Sequence, residues 1–439
     1  MRVVLMLPIL LGIWLCSGVN AEVKVFNIVD FGAVPDGKTL NTKAIQTTID
    51  KALAAKGTVL VPKGTFLTGA LTLGPSITLE LEEGAILLAS PNMKDYPNEV
   101  FISAPFADGL TLSGKGTVNG NGTAFFDDNW KFTERPEPWI VISDAKGVTV
   151  KGIRFENSPS HTLNFNFCDG VVVHSIRIKN DPRSPNTDGI DIRNTKNITI
   201  TNSDIRTGDD AICLKVTSKE KLWKDPNGNP RPRVVENVHV KNCYLESDDS
   251  ALKFGTGSGN LTQNILFEDI TIRNTRYAVG FFMMDGGTYQ NVLFKNLDVE
   301  TGSRHAQEYA IFMDIHQRKI DSKVGRIEGV KFESCAFKTK GIFYLSGHPQ
   351  QNINDILFEK VSIVFEDNLD NSKWKKPKGN KKIKRWESTS DFAQQSAKII
   401  LGNGEKIRFK DVSIQKATPN YPVFWEHNVI VDTTNVQIQ

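Results

Sequence analysis

Cysteine is scarce: five residues in 439, with no C-x-x-C pair. Cys168, Cys213, Cys243 and Cys335 stand far apart. That spacing argues against a disulfide-stapled scaffold and against a zinc site, and leaves buried thiols acting as small hydrophobes. Net charge is scarce too. Lys and Arg number 53 against 50 Asp and Glu, a balance with no pull on a nucleic acid backbone. Long apolar runs are missing except at the start. Val3 to Cys16 is almost wholly apolar, follows Arg2 and precedes Val19-Asn20-Ala21. It reads as a secretory signal peptide over residues 1–21, too short for a membrane span, with Leu15 too large for a lipobox before Cys16. Residues 22–439 are then one mature domain without membrane insertion. Its expected destination is secreted, extracellular or periplasmic.

What the chain has in quantity is one short pattern, repeated. Two apolar-x-apolar pairs flank a polar or small pair, as in V-T-V-K-G-I-R-F from Val148 and V-V-V-H-S-I-R-I from Val171. Further copies start at Ile198, Val238, Ile265, Val292, Val330, Ile356 and Ile407. Alternation with period two means strands with one buried face. Most steps are 23 to 27 residues, with longer ones of 38 to 51 where insertions fall. A period in the twenties means a solenoid. Between copies there are Asn-, Asp- and Gly-rich turns and no amphipathic helix or L-x-x-L-x-L signature. The expected fold is all-β, a single-stranded right-handed parallel β-helix. Thr42 to Leu53 has Ile45, Ile49 and Leu53 at the spacing of one helix face, with Asn41 as N-cap and Gly57 as stop. That helix is expected to cap the open first coil. Insertions are expected at about 218–234, 301–325 and 367–398.

Aligning the repeats aligns carboxylates. Thr187-Asp188-Gly189, Asp209-Asp210-Ala211 and Asp249-Ser250-Ala251 fall on successive coils. Asp188, Asp210 and Ser250 form one column, and Thr187, Asp209 and Asp249 the next, with Asp248 at the edge. Like charges stacked ~5 Å apart raise one another's pKa, so a purely structural strand has little use for them. Split pKa values suit an acid that protonates a leaving group and a base that activates water, the pair that glycosidic hydrolysis needs. Clustered Asp oxygens also suit a hard cation such as calcium, but no D-x-D-x-D-G-type loop is present. No metal and no cofactor are expected.

Asn186-Thr187-Asp188-Gly189 and Gly208-Asp209-Asp210 resemble the two central motifs of glycoside hydrolase family 28, the polygalacturonase-like, pectin-degrading β-helix hydrolases. Phe31-Gly32-Ala33-Val34-Pro35-Asp36-Gly37 and Leu81-Glu82-Glu83-Gly84-Ala85 resemble that family's opening segments. The resemblance runs from about Val25 to the final coils. It implies inverting hydrolysis, with Asp209 as general acid and Asp188 and Asp210 together holding and deprotonating the water. Two departures stand out. The family's Gly-His-Gly falls at Asp249-Ser250-Ala251, and its Arg-Ile-Lys near Gly280-Phe281-Phe282. Lys253 and Arg276 lie near enough to substitute in part.

The expected function is hydrolysis of a pectin-type or related polysaccharide by a monomer. The catalytic residues are Asp188, Asp209 and Asp210, and the substrate-binding residues Asn186, His161, Asp249, Lys253 and Arg276. His316 is a weaker candidate for the groove. The long insertions imply a closed groove and exo action. Gly280-Phe281-Phe282-Met283-Met284 implies a neutral sugar at the cleaved residue, with two of the five lining the groove. The Lys373–Arg385 stretch, eight basic residues with Trp374 among them and Trp386 directly after, is either a solvated loop or a lip for an anionic polymer. Two other classes stay open: a calcium-dependent polysaccharide lyase of pectate-lyase type, and a non-catalytic glycan-binding β-helix.

Overall fold

A computed structural model describes residues 23–132, 134–302, 304–305, 307–319, 321–366, 397–417 and 422–439. The signal-peptide segment 1–21 and the Lys373–Arg385 stretch lie outside these residues. Up to Val216 the coils contribute short separate strands, and from Val234 the strands run together across the corners, as in Val234–Ser258 and Leu261–Met283. Lys146–Lys151, Arg154–Glu156 and Leu163–Asn166 make one coil; Asp169–His174, Arg177–Lys179 and Ile190–Arg193 make the next. Every strand pairs in parallel with its counterpart one coil away. The result is a right-handed parallel β-helix with three ladder faces.

The repeat exists because parallel register places equivalent residues directly above one another. Inward positions build a column of rings: Phe267, Phe294, Phe332, Phe358 and Phe409 stack with centroids 4.7 to 5.2 Å apart and planes within 7°. That spacing is the distance between neighbouring strands, so stacking and backbone hydrogen bonding reinforce each other. The corners recur as well. Asn197, Asn237, Asn264 and Asn291 all adopt φ between 52° and 58°, a left-handed turn that Asn tolerates better than most residues. Asn237, Asn264 and Asn291 each donate Nδ2 to the Asn Oδ1 one coil before, at 2.7 to 3.2 Å, and Asn197 donates to Asp169 Oδ1 at 2.6 Å. Cys168, Cys213, Cys243 and Cys335 are buried free thiols.

The helix Thr42–Ala55 buries Ile45, Thr48, Ile49 and Ala52 against the first coil. Two details differ from expectation. Asn41 makes no side-chain cap; its Oδ1 accepts the Val34 N–H and its amide donates to backbone carbonyls, tying down the preceding loop. Lys56, not Gly57, takes the left-handed C-cap conformation. The segment 301–325 is not one insertion. It contains the strand Tyr309–Ile315, a full rung paired to Phe281, Phe282 and Met283. All seven of its residues are buried, so it lacks the alternation that marks other strands. The 218–233 insertion is genuine and folds back: Arg231 grips Asp144 with both carboxylate oxygens at 2.6 Å. Most of the third insertion lies outside the described residues.

The ring column supplies a stability test. Phe294→Ala should lower the unfolding free energy by about 3–5 kcal/mol. Urea titration monitored by circular dichroism measures this. A loss below about 1 kcal/mol would mean that the column contributes little beyond filling space.

Candidate active site

The floor of the site is the ladder face that runs through Leu163–Asn166, Ile190–Arg193, Ile212–Val216 and the middle of Val234–Ser258. Ile190, Ile192, Ile212, Leu214, Leu252 and Phe254 point inward and are fully buried. Their alternates Asp191, Cys213 and Lys253 lie in one register column on the other face. Just upstream, backbone hydrogen bonds fix a second column. The Thr162 N–H donates to the Asp188 carbonyl, Gly189 N–H to Asp210, and Ala211 N–H to Ser250, all at 2.7 to 2.8 Å. His161, Asp188, Asp210 and Ser250 therefore follow one another on four coils.

Two glycines explain why the motifs read as they do. A Cβ on Gly189 would sit 2.6 Å from the Ala211 carbonyl oxygen, and one on Gly208 would sit 2.3 Å from that of Ser184. No side chain fits at either point, so the chain can turn into each acidic rung only through glycine. Asn186, at φ 56°, donates its backbone N–H to Asp209 Oδ2 at 3.0 Å. Arg135, from a loop between strands, holds that turn. Its guanidinium donates to the carbonyls of Pro159 and Pro185 at 2.9 and 2.7 Å and to Asn186 Oδ1 at 3.0 Å, and is covered by the Phe132 ring at 3.6 Å.

Two half-buried lysines neutralise the carboxylates. Lys215 Nζ lies 2.9 Å from Asp188 and 2.7 Å from Asp191. Lys253 Nζ lies 2.8 Å from Asp210 and 3.5 Å from Asp249, above the Phe282 ring. His161 sits between Asp188 and Asp191, at 3.7 and 3.5 Å, and Arg276 reaches Asp249 at 3.4 Å. The protonation states split accordingly. Burial opposes ionisation of Asp188, but Lys215, His161 and Lys253 outweigh it and hold the carboxyl well below the usual range. Burial, then the charge of Asp188, pushes Asp209 up to about 6. Burial pushes Asp210 up as well, against Lys253. The three carboxyls titrate as one system, with Asp188 ionised first and a proton retained at the Asp209–Asp210 end. Asp209 is the more exposed of that pair, so its proton is the accessible one.

The arrangement revises several expectations. Lys253 and Arg276 are not spare cations; both are held by Asp249, and Lys253 also by Asp210. Asp248 turns away from the column to Arg304 and His305, at 2.7 and 3.0 Å, and lines a separate 450 Å³ cavity with Lys179 and Arg206. His316 is 1 % exposed beside Asp314 and faces no groove. Of Gly280 to Met284, Phe281 and Met283 belong to the main core, and Phe282 packs with Tyr277, Tyr309 and Phe312 at 5 % exposure, so the apolar lining expected of that run is almost closed off. Asp191 and Lys215 were not anticipated, although alternation in I-D-I-R and I-C-L-K places both on the floor. Arg135 had no such signal. Three trios, His161/Asp188/Asp191, Asp188/Asp210/Cys213 and Asp209/Asp210/Asp249, offer ligand atoms within 4.8 Å of one another. Each contains a carboxylate already within 2.9 Å of Lys215 or Lys253, so a calcium ion would have to displace an ammonium group.

The family model of glycosyl hydrolases family 28 matches residues 53–227, which include both acidic motifs. An exopolygalacturonase of Zea mays is 32% identical over 282 residues, covering 58% of this chain and 68% of the relative. The chain belongs to glycosyl hydrolases family 28. It is therefore a glycoside hydrolase. A polygalacturonase of Solanum lycopersicum is 26% identical over 360 residues, 78% of this chain and 71% of that protein. In fold, the family 28 exopolygalacturonase of Yersinia enterocolitica superposes with a TM-score of 0.69 at 19% identity, over 94% of this chain and 78% of that one. A short N-terminal match, residues 25–79, is to the rhamnogalacturonase A/epimerase, pectate lyase-like model.

Lys215 is the handle on Asp188. Lys215→Met removes the largest influence favouring its ionised form, so the Asp188 pKa rises. With Asp188 in the base role that the sequence resemblance implies, where it must be ionised to work, the acidic limb of the kcat/KM profile should move to higher pH, while Lys215→Arg stays near wild type. The alkaline limb should fall near the Asp209 value of about 6 in the wild type, because the acid must be protonated. An acidic limb unmoved in folded Lys215→Met would remove Lys215 from this role.

Proposed function

We propose that this hydrolase cleaves a pectin-type polysaccharide by inversion, with Asp209 as general acid and Asp188 and Asp210 activating water. The observation that carries the reading is the split protonation of three carboxyls on two adjacent coils. Asp188 is held ionised by Lys215, while Asp209 keeps its proton into the mildly acidic range. Hydrolysis with inversion needs one carboxyl of each kind, on opposite sides of the scissile bond. The acidic-motif match and the polygalacturonase relatives support pectin as the substrate class.

Three finer points belong to the same proposal. Secretion rests on the N-terminal apolar segment of the sequence; no helix among the described residues is long and apolar enough to cross a membrane. Exo action rests on the 218–233 insertion and the loop after Ile315, which line one cavity together with Arg193 and Lys215 of the floor strands. A neutral sugar at the cleaved residue rests on how the nearby cations are spent. A uronate carboxylate in a closed site needs a paired cation, ideally a bidentate Arg. Lys253 and Arg276 are engaged by Asp210 and Asp249 instead. His161, between Asp188 and Asp191, is placed to meet a sugar hydroxyl at the floor.

The test is hydrolysis of a glycan panel: homogalacturonan, rhamnogalacturonan and neutral α-linked oligosaccharides. Rhamnogalacturonan should be cut fastest, releasing mono- or disaccharides from the first time points. Rapid hydrolysis of homogalacturonan would sink the neutral-residue reading, and an early ladder of oligomers would sink exo action. An ultraviolet-absorbing unsaturated end would make the protein a lyase. Asp188→Asn, Asp209→Asn and Asp210→Asn should each lower turnover by ~10²–10⁴-fold with the fold retained. Near wild-type turnover in any one of them removes that residue from the mechanism.

A further inference from the structure

We infer that a second, cationic subsite lies beside the catalytic floor and binds the carboxylate of a uronate residue neighbouring the cleaved one. The inference rests on the pectin-type reading and extends it to a place that the family's acidic motifs do not reach. A cavity of about 750 Å³ opens at the downstream edge of the floor, where Arg193 and Lys215 follow Asp191 and Cys213 by two residues on their strands. Two residues along a strand is roughly 6.6 Å, so this wall adjoins the carboxylate column. Lys215 belongs to both places. It is among the residues that line the cavity, and its ammonium group rests on Asp188 and Asp191.

The other walls come from two segments that a plain solenoid does not need. The 218–233 insertion brings Lys219, and the loop after Ile315 brings Arg318 and Lys319. Both segments are anchored. Arg231 clamps the first to Asp144. Arg318 clamps the second, gripping Asp285 at 2.6 and 2.9 Å and donating to the Thr256 carbonyl. Charge is unbalanced within this frame. Arg318 satisfies Asp285 and Lys215 is committed to the floor, whereas Lys219 and Lys319 have no carboxylate within 4.0 Å among the described residues. Arg193 lies only at 3.7 Å from Asp191. Asp321 is the remaining carboxylate of the lining and is exposed. The volume is that of a small-ligand pocket, ample for a sugar ring and far larger than a bare inorganic anion requires. Uncommitted cations on anchored walls, continuous with a glycosidase floor, fit a uronate of the same polysaccharide chain.

The experiment uses the full-length Asp209→Asn protein, whose turnover is expected to be too slow to consume the ligand during a titration. It is titrated calorimetrically with an oligosaccharide of alternating galacturonate and rhamnose, and with the same oligosaccharide carboxyl-reduced. The charged form should bind at least tenfold tighter. Adding Lys219→Ala and Lys319→Ala together should remove most of that difference and leave the reduced form within twofold. Both side chains are exposed, so their truncation spares the core. An acid-to-reduced ratio unchanged by the two substitutions overturns the subsite while leaving the pectin reading intact. If neither oligosaccharide binds and the wild type releases no reducing ends from any pectic glycan, the pectin reading fails and the subsite falls with it.

Discussion

Strict parallel register is the constraint on which everything else in this molecule depends. When each coil repeats the one before at the distance between hydrogen-bonded strands, identical positions meet. For Phe294 and its neighbours that is favourable, because ring stacking and strand spacing coincide. For Asn264 and its neighbours it completes a ladder of side-chain amides. For Asp188 and Asp210 it is unfavourable, because two carboxylates are pressed together away from water. The scaffold that builds the core so economically would expel this site if nothing compensated.

Lys215 and Lys253 are that compensation, and their placement follows from the same register. Each lies on a floor strand one coil beyond a carboxylate it neutralises, Lys215 beyond Asp191 and Lys253 beyond Asp210. Desolvating such a cluster is costly, and removing one member leaves an uncompensated buried charge worth about 3–5 kcal/mol. The arrangement is therefore poorly explained as a stability device, since apolar residues of similar volume would serve at least as well. What it does supply is asymmetry. Both lysines are fully engaged, yet Asp188 is drawn well below the usual carboxylate range while Asp209 is pushed up to about 6.

The sequence was legible wherever counting along the repeat suffices. The 22-residue step from Asp188 to Asp210 and the 40-residue step to Ser250 reproduce the hydrogen-bonded register, insertion included. The same counting puts Asp191 and Lys215 on the floor, although neither lies in an acidic dipeptide that would mark it. Other features leave no periodic trace. Tyr309–Ile315 is buried on both faces and so hides its strand. Arg135 acts from a loop, and only folding shows that it reaches Pro159, Pro185 and Asn186. The run Gly280 to Met284 misled for the opposite reason: an apolar stretch beside a site need not face it, and three-dimensional packing turns nearly all of it away.

A site with an acidic floor faces a difficulty when its substrate is itself acidic, because the carboxylates of the floor repel the carboxylates to be bound. The floor lysines do not resolve this, since their charge is consumed where it stands. Cations for the polymer have to come from elsewhere, and they must not sit so close that they pull the proton from Asp209. A parallel β-helix can meet both conditions because its loops extend from the strand ends without disturbing the register of the strands. Lys219 and Lys319 stand on such loops, at the edge of the floor and beyond direct contact with Asp209 or Asp210. Lys215, which lines the cavity and rests its ammonium on Asp188, is where the acidic column meets the cationic wall.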